Sequence, residues 1–145
     1  MTLEQTKLVN EKPTQGNLGI KGAMVVAAGD PHRSVLYHRM AKLGPGRMPH
    51  FGSQAVDERG LALIAQWIAS MPHDGVEPVV AAANAKTLKN FQGGKISAIY
   101  ELLASPESAL LLADAITGED LVQLNIREAV ATAANHKSPF IRDLF

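Results

Sequence analysis

The chain has no cysteine, which removes disulfides, zinc–thiolate sites, iron–sulfur clusters and thiol nucleophiles together. An excess of one charge is also missing. Its 14 Lys and Arg offset 14 Asp and Glu, so nothing favours neutralising a phosphate backbone, and no nucleic-acid partner is expected. Long apolar runs are absent as well. Runs such as Val79–Ala83 and Ala109–Ala113 fall far short of the ~20 residues a helix needs to cross a bilayer. No membrane insertion is expected. Residues 1–17 hold neither an apolar stretch nor a cleavage pattern, so no signal peptide is read there and the chain as written would stay in the cytoplasm.

What remains is a 145-residue chain, 46% apolar and 19% charged, enough for one globular domain or two small helical subdomains. The charge divides along it. Residues 1–72 carry 8 Lys and Arg against 5 Asp and Glu, and residues 73–145 carry 6 against 9. This gives halves of +3 and −3. Residues 1–22 are polar and broken by Pro13, Gly16, Gly19 and Gly22, and read as an extended arm.

The pattern predicts a mostly all-α fold. Asp30-Pro31 reads as an N-cap followed by proline at the first helical position, with Leu36, Met40 and Leu43 at helical spacing up to Gly44. Asp57 caps a second helix carrying Leu61, Ile64, Ile68 and Met71, which Pro72 stops. Residues 73–78 form a linker with a turn at Asp74-Gly75. Beyond it, Val79–Phe91 favours helix through Ala81–Ala83, and Ile96, Ile99, Tyr100 and Leu103 form another stripe. Ser105-Pro106 opens a helix ending near Gly118, and Val122, Ile126, Ala129 and Ala133 form the next. Ser138-Pro139 begins a final turn. Short helices joined by such turns suggest antiparallel, repeat-like pairs over residues 79–145.

The most distinctive block is Gly44-Pro-Gly-Arg-Met-Pro-His-Phe-Gly-Ser53. A methionine on a Gly/Pro-rich loop is a soft, neutral thioether suited to haem iron. The packing alternative is that Met48 plugs a gap between helices. Together with Gly29–Leu43, Val56–Gly60 and Trp67-Ile68, this block resembles the C-terminal part of cytochrome c-like modules in large exported proteins of planctomycete-type bacteria. Residues 102–145 are similar to the helical connector that follows such modules.

The resemblance implies an exported or periplasmic setting. It also implies a cytochrome c-like remnant over residues 23–72, with Met48 at a haem-ligand position and Trp67 packing near the haem. The upstream C-x-x-C-H that would attach haem is missing, so a bound haem would be non-covalent. The closing Asp143-Leu-Phe145 reads as a helix cut short, and the chain as a piece of something longer.

The histidines give a rival reading. His32 and His38, six apart on one helix, do not share a face. His38 with His50 and Asp57 could meet where the loop folds back, hold zinc and activate a water for hydrolysis. Arg33, Arg39, Lys42 and Arg47 form a local basic cluster. Ser53 lacks the G-x-S-x-G context, and Gly93-Gly94-Lys95 lacks the spacing of a phosphate loop.

The leading expectation is therefore a non-catalytic helical interaction module with no cofactor, packing against neighbouring domains or further copies of itself. A remnant lacking one wall would expose Leu36, Met40, Leu61, Ile64 and Trp67, and self-association would cover them. Exchange of the 1–22 arm is one route. A zinc-dependent hydrolase and a non-covalent haem binder for electron transfer are the alternatives.

Overall fold

A computed structural model describes residues 6–50, 54–73, 78–117 and 123–145. Phe51–Ser53, the Asp74-Gly75 turn, Gly118 and Val122 lie outside the described residues. Among those described are seven α-helices and no strand: α1 (Val35–Ala41), α2 (Glu58–Ala69), α3 (Val79–Gln92), α4 (Ser97–Leu102), α5 (Pro106–Thr117), α6 (Gln123–Ala134) and α7 (Pro139–Arg142). None of the described helices is long and apolar enough to cross a membrane.

Local sequence accounts for most of the helix starts. The Asp57 carboxylate accepts the Gly60 N–H at 2.9 Å, satisfying one orphan donor of α2. Ser105 Oγ accepts from the Ser108 N–H at 3.3 Å at the start of α5, and proline leads both α5 and α7. The first expected helix is different. Pro31–Arg33 forms a 3-10 turn, and Ser34 sits extended between it and α1. Ser34 Oγ accepts the Ala27 N–H at 2.9 Å and donates to the Asp30 carbonyl at 3.0 Å. These bonds hold the chain out of a continuous helix. Asp30 makes no side-chain cap there, and both its carboxylate oxygens are buried without a hydrogen-bond partner.

The arm has more structure than its composition suggests. Asn10 N–H donates to Val26 O at 2.7 Å, Val26 N–H to Leu8 O at 3.2 Å, and Val25 N–H to Glu11 O at 2.8 Å. Ile20 is fully buried. Residues 8–20 therefore lie along their own chain and carry part of its core.

Two apolar cores meet at α5. One gathers Val26, Tyr37, Ala41, Leu61, Ile68 and Met71 from the first half, and it includes Leu110 from α5. The other gathers Phe91, Ile99, Leu102, Leu103, Ala129 and Ile141, together with Ala109 and Leu112 from α5. Ser108 through Leu112 are all buried, as in a helix enclosed on every side.

The first half's apolar face is thus not left for another molecule to cover. Leu36, Met40, Ile64 and Trp67 are partly buried and pack in the same cluster as Leu110 and Leu144. The missing wall is supplied by the chain's own second half.

Leu110 is completely buried. Leu110→Ala should lower unfolding stability by about 2–5 kcal/mol. Urea denaturation followed by Trp67 fluorescence and by far-ultraviolet circular dichroism should give one coincident transition in both proteins, because the two cores share this helix.

Candidate functional site

The chemistry-bearing side chains form a polar seam between the halves. Asp114, two turns into α5, reaches across to the first half. One carboxylate oxygen lies 2.9 Å from His32 Nε2 and the other accepts the Tyr37 hydroxyl at 2.9 Å. The two rings meet edge to face, with centroids 6.2 Å apart. Burial, followed by the charge and hydrogen bond of Asp114, pushes the Tyr37 phenol far above its usual range. It is therefore a fixed donor, not a proton shuttle.

A second linkage lies at the end of α1. Lys42, 3% exposed, pairs with Asp143 at 2.9 Å and donates to the Pro45 carbonyl at 2.8 Å. Leu43 N–H donates to Asp143 O, and Met48 N–H to Arg39 O, each at 2.8 Å. Gly44 has φ +74°, and a Cβ there would come 2.9 Å from the Asp143 carboxylate. Glycine is needed both for the left-handed backbone and for the close approach.

His38 sits next to this pair and is fully buried. Burial brings its pKa down to about 4, and the neighbouring Lys42 ammonium adds to the shift. The carbonyls of His38 and Phe140 and the Asp143 carboxylate oppose it only partly. At neutral pH the ring is an uncharged filler of the seam.

The residues singled out from sequence end up apart. His50 and Asp57 are exposed while His38 is sealed inside, and Asp57 is engaged at the start of α2. Among the described residues, no group of three or more His, Asp or Glu is placed to hold a metal. Met48 is 41% exposed at the loop's outer edge, whereas Trp67 packs into the first core. The basic cluster is likewise divided, because Lys42 is buried against Asp143 while Arg33 donates to Gly22 O at 3.3 Å.

Tyr37 and Asp114 were missed. They are 77 residues apart, and neither lies in a motif that would join them. Their only signal was an acidic residue late in an otherwise apolar helix. Comparison of the chain with protein-family models, with curated proteins and with solved structures finds no match.

Two outcomes follow. Asp114→Ala leaves the Tyr37 hydroxyl and the His32 ring without their partner and should cost about 2–4 kcal/mol in urea unfolding, as expected for two hydrogen bonds to a charged acceptor. For His38, the folded pKa of about 4 lies below the unfolded value near 6.5. Its contribution to stability is therefore complete above pH 6.5, falls as the pH drops from 6.5 to 4, and levels off below that. The loss across this window should be on the order of 3 kcal/mol and should be absent in His38→Leu. Unfolding curves for both proteins between pH 7.5 and pH 4 read it directly.

Proposed function

We propose that this chain is a non-catalytic helical interaction module, a rigid body that holds one apolar loop toward a second copy of itself. One observation carries the reading. Leu43 and Met48 stand 40% and 41% exposed on a loop whose ends are tied down by the Leu43–Asp143, Lys42–Pro45 and Met48–Arg39 hydrogen bonds. An apolar loop held in one shape loses little conformational freedom on binding, which favours association.

The polar groups of the seam fit the same reading. Asp114, His32, Tyr37, Lys42 and Asp143 join one half of the chain to the other, and His38 has no access to solvent.

The alternatives fit less well. A zinc hydrolase would need His38, His50 and Asp57 to converge, and they do not. Haem does not suit the residues present either. The face of α2 that would line it packs with Leu110 and Leu144, and the nearest histidine on α1 is enclosed between that helix and the chain end.

Light scattering on the eluting peak of a sizing column tests the proposal at tens of micromolar protein. The wild-type chain should run at a multiple of its 15.5 kDa mass, and Leu43→Ser/Met48→Ser should return it to the monomer. A wild-type mass of 15.5 kDa at every concentration, or an oligomer indifferent to the double substitution, would overturn it.

A further inference from the structure

Along the second half, α4, the end of α6, the turn into α7 and Gly19 of the N-terminal arm border a trough. Its deeper part, about 470 Å³, is floored by the buried Leu103 and Ile141, with Pro106 and Phe140 beside them. A more open part of about 650 Å³ continues past Glu128 and Asn135. The two parts share Tyr100, Thr132, His136 and Lys137.

The rim has a polarity. His136 Nδ1 accepts the Ser138 N–H at 3.1 Å, so the neutral ring carries its proton on Nε2 as a donor. Arg142 donates to the His136 carbonyl at 3.2 Å, placing a guanidinium beside the exposed Lys137. Neither cation pairs with a carboxylate among the described residues. Across the trough the Tyr100 ring stands 61% exposed, and Glu128 lies toward the open end.

We infer that this trough binds an extended acidic peptide of a partner protein, with an apolar side chain over Leu103 and Ile141 and a neighbouring carboxylate at His136 and Lys137. Charge complementarity sets the occupant. An apolar floor with the Lys137 ammonium and the His136 donor on one rim favours a carboxylate there, and Glu128 turns it away from the open end. Shape argues for a chain over a small molecule. Small-ligand pockets enclose most of their ligand, about 70–90% of its surface, whereas this trough is open along its length. An exposed tyrosine beside it is a rigid contact of the kind enriched at interfaces. The site stands apart from the Leu43–Met48 loop and does not depend on self-association.

Selection of phage-displayed random octapeptides against the full chain tests the inference. Enriched peptides should carry Asp or Glu beside an apolar residue. In fluorescence anisotropy, with each peptide fluorescein-labelled, they should bind Lys137→Glu roughly tenfold more weakly than the wild type. Tyr100→Ala should weaken them as well, while Leu43→Ser/Met48→Ser should leave them unchanged. Lys137 and Tyr100 are both exposed, and circular dichroism should show both variants folded. Failure to enrich any peptide would overturn the inference. So would selected peptides that lack acids, or that bind Lys137→Glu and the wild type equally. Full displacement of a selected peptide by 4-phenylbutyrate at equal concentration would overturn the peptide assignment in favour of a small amphipathic carboxylate.

Discussion

The structure depends on α5 being buried on opposite sides at once. Leu110 completes the core of the first half while Ala109 and Leu112 belong to the core of the second. Complete burial of a leucine is worth about 1.5–3 kcal/mol, and here each apolar face of one helix contributes to a different cluster. Neither core is closed without α5. The division of the chain into a front and a back half, suggested by its charge and composition, is therefore not a division into independently packed units. The apolar face of the front half is filled from within the same chain.

Polar groups fix how the halves meet. Apolar contacts alone allow α5 to slide or rotate against the 3-10 turn and α1 at little cost. The Asp114 carboxylate, bonded to both His32 and Tyr37, selects one register, since a shift of one residue along α5 would strand both donors. The Lys42–Asp143 pair acts the same way at the other end of α1. Buried ion pairs of this kind add little net stability because desolvation offsets much of the attraction. What they impose is geometry, since a misaligned arrangement leaves buried charges unpaired. His38 beside them is tolerated because it stays neutral.

Helix identity was legible in the sequence wherever a local rule decided it. Proline at the start of α5 and α7 and the Asp57 cap on α2 act within a few residues, so spacing alone reveals them. Asp30-Pro31 does open a helical turn, but it is a 3-10 turn that stops at Arg33, because Ser34 bonds back to Ala27 and Asp30 and competes with a continuous helix. Contacts at long range were not legible. Nothing near Leu61 or Ile64 indicates that Leu110 and Leu144 will cover them, and nothing near His32 points to Asp114, 82 residues away. The proposed His38, His50 and Asp57 grouping failed for a related reason. Proximity in sequence placed them near one loop, but His38 lies on the buried face of α1 and the other two on the solvent side.

The short α7 turn links the two surfaces to which function is ascribed. On one side Asp143, which closes α7, receives Lys42 and the Leu43 N–H and so holds the base of the apolar loop. On the other, Ser138, Phe140 and Ile141 line the trough. A peptide lying over Phe140 and Ile141 would bear on the same four-residue turn that carries the loop's anchor. Coupling between sites requires an element with two discrete arrangements; α7 is packed in one, so a change at the loop is not passed to the trough. Its own hold on the body is the buried Ile141 and its packing against α5 and α6, so both surfaces rest on the second core. A chain built this way keeps its loop and its trough at a fixed separation.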